Sequence, residues 1–202
     1  LFWLPNEPAA HASEDHPRLR HVFRLVPHIM LLNLTYAAAV EAFIAFFPLF
    51  GIHIGLGEVR SLSLLTTFAL GGVFLQLPLG WLADHMRRQR LLLICLIITM
   101  LGFLLLPHVV SFSVGGPIFL FALGGAEGMI YALGVILLGQ RFRGAELAAA
   151  SVLYTGMWGA GTMLGPAVVG AGMDILGNES MPYLIAAIYA VYLPVFFLAR
   201  RS

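Results

Sequence analysis

Charge is what this sequence has least of. Only 10% of its 202 residues are Asp, Glu, Lys or Arg, against roughly 25% in an average soluble domain. With 60% hydrophobic residues and a mean hydropathy of +0.92, too little polar side chain remains to cover a globule in water. Lipid is therefore the expected solvent for most of the chain. The eleven basic residues are all arginine, the net charge is +1, and no basic tract points to nucleic acid. Cysteine is nearly absent. The single Cys95 lies inside an apolar run and is expected to be a small lipid- or helix-facing residue. It excludes a disulfide framework and a Cys-based metal site.

Other absences narrow the function classes. Of seven histidines, His85 and His108 fall in or near loops and His11, His16 and His21 precede the first long apolar run. Their spacings do not converge, so neither a metal nor a cofactor is expected. A phosphate-binding P-loop is missing, which excludes an ATPase powered by this chain itself. No nucleophile–base pair or paired histidine set is placed to face water, which argues against an intramembrane enzyme. The opening "LFWLPNEPAA" is too short and lacks the basic n-region of a signal peptide.

Long apolar runs fill most of the rest. A membrane helix needs about 20 mostly apolar residues. Six stretches qualify, at about 28–50, 61–83, 91–110, 113–139, 146–172 and 181–199. The expected fold is all-α: a polytopic membrane bundle over 25–202, preceded at 1–24 by a linker rich in Pro, Ala and charge. The arginines order the spans. Arg18, Arg20 and Arg24 precede the first, Arg87, Arg88 and Arg90 separate the second from the third, Arg141 and Arg143 separate the fourth from the fifth, and Arg200 and Arg201 end the chain. Only Arg60 falls in an opposite loop. This alternation predicts six spans with both termini cytoplasmic.

Two acids lie deep in the expected spans, Glu41 in the first and Glu127 in the fourth. A charge at the bilayer centre costs about 2.5–3.5 kcal/mol even on the lenient insertion scale, so such residues face a cavity or a partner. No arginine lies equally deep. Each acid is expected to be neutral and hydrogen-bonded to a neighbouring helix, to pair outside this chain, to bind a cation, or to take part in proton or substrate binding. Tyr131 sits one helical turn after Glu127, and Tyr36 precedes Glu41 by five residues. Both are candidate hydrogen-bond donors, although aromatic packing is the more frequent role of a membrane Tyr. Asn33 and Gln76 are weaker polar candidates.

Two further motifs stand out. "GWLADHMRRQR" at 80–90 forms a tight turn between the second and third spans, with Gly80 expected to let helices approach and Asp84 beside Arg87, Arg88 and Arg90. Topology anchoring accounts for the arginines but not for the acid, since acids contribute little to orientation. "GAGTMLGPAVVGAGMDILG" at 159–177 is a glycine-rich helix. There Gly161, Gly165 and Gly170 clear side chains from one region and Pro166 frees a backbone carbonyl, so the helix can pack closely and bend. Simple packing explains it as well as gating does.

The first motif resembles the loop signature G-x-L-A-D-x-x-G-R-[KR] of the major facilitator superfamily. Gly80, Leu82, Ala83, Asp84 and Arg88 match, while Arg87 stands where Gly is usual and Gln89 where a base is usual. The second is similar to the glycine-rich helix of drug/proton antiporters in that superfamily. The resemblance implies a twelve-helix transporter of two six-helix halves, of which these spans would be helices seven to twelve. On that view the chain is truncated, its start is the remnant of helix six with the linker, and its partner is the missing N-terminal half of the same polypeptide. Each half would comprise two inverted three-helix repeats, with the first and fourth spans lining the central cavity. That would place Glu41, Glu127, Tyr36 and Tyr131 as proton or substrate residues and Gly80, Asp84 and Arg88 in a gating loop. The implied activity is secondary active transport of a small solute by alternating access, with proton-coupled efflux, in a bacterial cytoplasmic (inner) membrane. The alternative is a non-transporting sensor or scaffold that keeps the fold.

Overall fold

A computed structural model describes residues 19–199. The described chain runs α1 (Leu19–Leu25), α2 (Pro27–His53), α3 (Glu58–Phe74), α4 (Gln76–His85), α5 (Arg88–Val109), α6 (Gly115–Arg141), α7 (Gly144–Leu176), a 3-10 turn (Asn178–Ser180) and α8 (Met181–Ala199). Among the described residues there is no strand. Six helical units are long and apolar enough to cross a membrane: α2, α3 with α4, α5, α6, α7, and α8 with its preceding turn. The span count expected from the apolar runs therefore holds.

Two boundaries differ from the sequence reading. Of the segment read as a linker, 1–18 lies outside the described residues, and α1 occupies its last part. Val22 of α1 and Val26 pack with Phe142, Ala150 and Tyr154, so apolar residues at this spacing give a short helix a surface to rest on. The second span is broken at Leu75. Pro78 explains the break. It supplies no N–H to the carbonyl four residues earlier, and its ring crowds that carbonyl, which belongs to Phe74, the last residue of α3. In the first turn of a new helix the missing donor is no loss.

The packing is symmetric under exchange of the first and fourth, second and fifth, and third and sixth spans. The closest pairs are α2 with α7 and α3 with α6, which this exchange interconverts, as it does α5–α6 and α2–α8. Three spans reverse direction, so the two repeats are inverted. α2 and α6 occupy the centre: 56% of an 18-residue apolar stretch of each is buried, against 17% in α3–α4 and 22% in α7. Phe43 of α2 anchors this centre, its ring centroid 4.7 Å from Phe47, 4.6 Å from Phe68 and 5.4 Å from Phe103. The third span turns an apolar stripe outward, with Ile94, Ile97, Ile98, Leu101 and Leu105 exposed at helical spacing, as lipid contact requires.

The two ends differ in charge. Arg24, Arg87, Arg88, Arg90, Arg141 and Arg143 flank the ends joined by the turns after α4 and α6. Arg18, Arg200 and Arg201 lie outside the described residues, as does the side chain of Arg20. At the other end Arg60 donates to the Ser111 carbonyl at 2.9 Å, and His53 lies 3.8 Å from Glu179, tying the three opposite loops together. Gly177, at φ 90°, stops α7 in a conformation that side chains disfavour. With 33 residues α7 is about 50 Å long, more than a bilayer core of about 30 Å.

Candidate functional site

A groove of about 500 Å³ opens between α2, the α3–α4 span and α6. Its walls are mostly apolar, including Val40 and Phe68, with Tyr36, Gln76 and Glu127 among its few polar groups. Small residues set its shape. Gly124 and Gly128 of α6 face α3 so closely that a Cβ on Gly124 would fall on the carbonyl of Phe68, and one on Gly128 would meet Gly72. Gly71 meets the Phe121 carbonyl in the same way. Glu127 stands in this stretch of α6 and is drawn into the bundle with it.

Glu127 is 1% exposed. Its Oε1 accepts a hydrogen bond from the hydroxyl of Tyr189 of α8, itself fully buried. Oε2 has no hydrogen-bond partner among the described residues. Thr99 of α5 lies close to the same carboxyl, but its hydroxyl completes no hydrogen bond there. The carboxyl thus touches the groove on one side and reaches between α5 and α8 on the other. Such a group can exchange one proton while keeping Tyr189 as a donor.

The other acid is placed differently. Glu41 is half-buried and makes no hydrogen bond or ion pair among the described residues. Tyr36 lies within electrostatic range of both acids and of Tyr131. Tyr131, a candidate donor near Glu127, takes part in aromatic packing, the more frequent role of a membrane Tyr: its ring centroid is 5.5 Å from Tyr36 and 5.8 Å from Tyr154. Its carbonyl accepts from the Tyr154 hydroxyl at 3.2 Å. Asn33, fully buried, donates to the Tyr154 carbonyl at 2.6 Å, so α2, α6 and α7 are joined by one polar and aromatic ladder.

The motif residues also find places. Asp84 lies in the last turn of α4, with Oδ1 3.8 Å from Nη2 of Arg88 at the start of α5. The ring of Trp81 lies 4.2 Å from that of His85, whose Nδ1 is 2.8 Å from the Trp81 carbonyl. The close approach expected at Gly80 is not made among the described residues: a Cβ there would meet none of their atoms within 4 Å, because α4 lies at the periphery of the described bundle. In α7, Gly161 and Gly165 pack on the α2 backbone around Leu34 and Ala38, and Gly170 packs on Phe46. The helix continues unbroken through Pro166. Among the described residues no three His, Cys, Asp or Glu side chains gather as a metal site.

The sequence pattern of the Major Facilitator Superfamily matches residues 29–202. The chain belongs to the Major Facilitator Superfamily. It is similar to a protein of Bacillus subtilis (strain 168) named "Uncharacterized MFS-type transporter YfkF", with 29% identity over 139 residues. The match takes in 69% of this chain but 35% of that relative, so the chain spans little more than a third of its length. For a superfamily member this places the six spans in lipid as an integral membrane protein.

Tyr189, Thr99 and Tyr154 were not among the residues singled out in this superfamily chain from its sequence. Tyr189 is one of three tyrosines in the last span, at 183, 189 and 192, and nothing local distinguishes it. The glycines at 71, 72, 124 and 128 carried a weak signal, since small residues four apart mark close helix contacts. They are divided between two helices and so escape a search for one glycine-rich segment.

Proposed function

We propose that this chain is one six-helix half of a secondary transporter that moves a small solute by alternating access. The cavity in this reading lies between the groove described above and a second six-helix half preceding it on the same polypeptide. Inverted repeats with a groove open on one side suit that arrangement, because each half then supplies one wall. The Arg-rich end is assigned to the cytoplasm by the positive-inside tendency. The membrane is assigned as a bacterial cytoplasmic membrane, the relative being bacterial.

Proton coupling is assigned to Glu127. The observation that carries it is a buried carboxyl beside the groove, held at one oxygen by Tyr189 and unpartnered at the other. Protonated, it is neutral and can donate from the free oxygen; ionised, it retains Tyr189. Movement of α6 against α5 and α8 would change which state is favoured, and that links the proton to the conformational cycle. Glu41, with no partner among the described residues, is assigned to the cavity wall as a substrate contact. The Asp84–Arg88 turn is assigned to the gate at the Arg-rich end, and the Gly161–Gly170 face of α7 to close packing during closure. Efflux is the proposed direction, resting on the similarity of the α7 motif to drug/proton antiporters.

The test is Glu127→Gln in proteoliposomes containing this chain with its companion half. Gln keeps the shape and can still accept from Tyr189, but it cannot release a proton. Uphill transport driven by a pH gradient should be lost while substrate exchange survives. Unchanged pH-driven accumulation would remove Glu127 from the mechanism. Absence of any flux in the unsubstituted protein, with normal folding, would favour the sensor or scaffold reading. Saturable uptake by the chain alone would favour two copies acting together.

A further inference from the structure

A second cavity, of about 420 Å³, lies at the Arg-rich end among α2, α5, α6 and α8. It is separate from the groove and shares no lining residue with it. Its floor is apolar: Leu32 and Leu92 are buried and Leu137 is half-buried. Its rim is polar: Gln89, Gln140 and Arg141 are exposed, with His28 beside them. The helical register sets the depth. Leu32, Leu92 and Leu137 lie three to four residues further into their helices than His28, Gln89 and Gln140 or Arg141, a step of about 5–6 Å.

The rim is also at a defined level. Arg141 is the last residue of α6, Gln89 the second of α5 and His28 the second of α2. Helix ends of membrane spans lie where hydrocarbon gives way to head groups. The charge balance of this end of the bundle favours an anion: Arg24, Arg87, Arg88, Arg90 and Arg143 share it with Arg141, the arginine in the cavity lining, against Asp84 and Glu146 among the described residues. A cavity of a few hundred Å³ suits a group the size of a small ligand.

We infer that this cavity binds an anionic phospholipid of the adjoining leaflet. The phosphate lies at Arg141 with the Gln89 and Gln140 amides, and the glycerol and first methylenes of one acyl chain cover the leucine floor. A free phosphate would satisfy the rim and leave the floor bare. A zwitterionic lipid would cover the floor but bring a cationic group to a mouth whose one lining charge is Arg141. Basic pockets between membrane helices on the side richer in arginine recognise anionic head groups by these two features together. The inference needs only the membrane placement of the bundle and is independent of the transport reading.

The experiment uses the purified full chain, delipidated in a neutral detergent. Binding of phosphatidylglycerol, phosphatidylcholine and inorganic phosphate is followed by native mass spectrometry and by the thermal midpoint. Phosphatidylglycerol should bind and raise the midpoint, and phosphatidylcholine should bind more weakly. Arg141→Gln should weaken phosphatidylglycerol about fivefold, the effect of one arginine near a membrane surface. Gln140→Glu, at an exposed position that should not disturb folding, should weaken it by a similar factor through like-charge repulsion. Arg143→Gln, at the same end but outside the lining, should change it less than twofold. Equal affinity for the two lipids, or the same affinity in all three variants, overturns the site. Inorganic phosphate that binds with the Arg141 dependence and displaces the lipid overturns the lipid assignment in favour of a soluble anion.

Discussion

The two intramembrane acids belong to corresponding spans of the two repeats, yet the bundle treats them differently. Glu127, in the first span of the second repeat, is buried and receives the Tyr189 hydroxyl from α8. Glu41, in the first span of the first repeat, is half-buried with no bond among the described residues. The repeat exchange takes α8 to α5, and the α5 residues near the centre are Cys95, Thr99 and Phe103, with no tyrosine among them. The helical frame is thus duplicated, while the buried carboxyl–tyrosine pair is built on one repeat only. The glycine seams diverge in the same manner. In the α2–α7 seam the three glycines at 161, 165 and 170 all come from α7, whereas in the α3–α6 seam both helices contribute.

The seams offer the largest test of this comparison. Gly165→Ala would set a methyl group on the Ala38 carbonyl, and Gly124→Ala one on the Phe68 carbonyl. Backbone cannot yield as a side chain can, so each should cost about 1–3 kcal/mol or more, read as a lowered thermal midpoint in detergent. Gly159→Ala, where a Cβ meets nothing within 4 Å, should be neutral or stabilise by up to about 1 kcal/mol through helix propensity. If Gly124→Ala behaves like Gly159→Ala, the two seams are not equivalent.

Next in size is the contrast between the acids. Tyr189→Phe deprives a buried carboxyl of its donor and should cost about 1–3 kcal/mol. Glu41→Gln should stay within about 0.5 kcal/mol, as at a partly exposed site without partners. Equal losses in chemical or thermal unfolding would show that Glu41 is held as firmly as Glu127.

Thr99 sharpens the same point with a smaller effect. Its buried hydroxyl completes no hydrogen bond among the described residues. Thr99→Val keeps the shape and removes an unsatisfied group, so stability should be unchanged or rise by about 1 kcal/mol. A clear loss would place Thr99 in a working bond to Glu127. Smallest of all is Asp84→Asn. An ion pair at 3.8 Å with the acid largely exposed is worth about 0–1 kcal/mol, so the midpoint of this chain should barely move. Under the proposed transport reading, a change in cycling without a change in stability would mark Asp84 as a contact to the proposed second half.

The sequence by itself determined the number of spans, their alternation and the family. Apolar run length and the placement of arginines are local properties, and the Gly80–Arg88 motif is contiguous, so each can be read in one pass along the chain. Burial of Glu127 was half legible: the cost of a charge in lipid required a partner but did not name one. Only the tertiary structure decided that the partner is Tyr189, 62 residues away, and that Tyr131, one turn away, packs on aromatic rings instead. It also decided which glycines meet backbone and that a Cβ on Gly80 would meet nothing among the described residues. The break at Leu75 had a visible cause in Pro78, yet hydropathy passes over it because leucine and proline at a kink are as apolar as in a straight span. Hydrophobicity is summed along the chain and survives without a fold. A hydrogen bond or a close helix contact depends on which faces of distant helices meet, and that is settled only when six spans pack together.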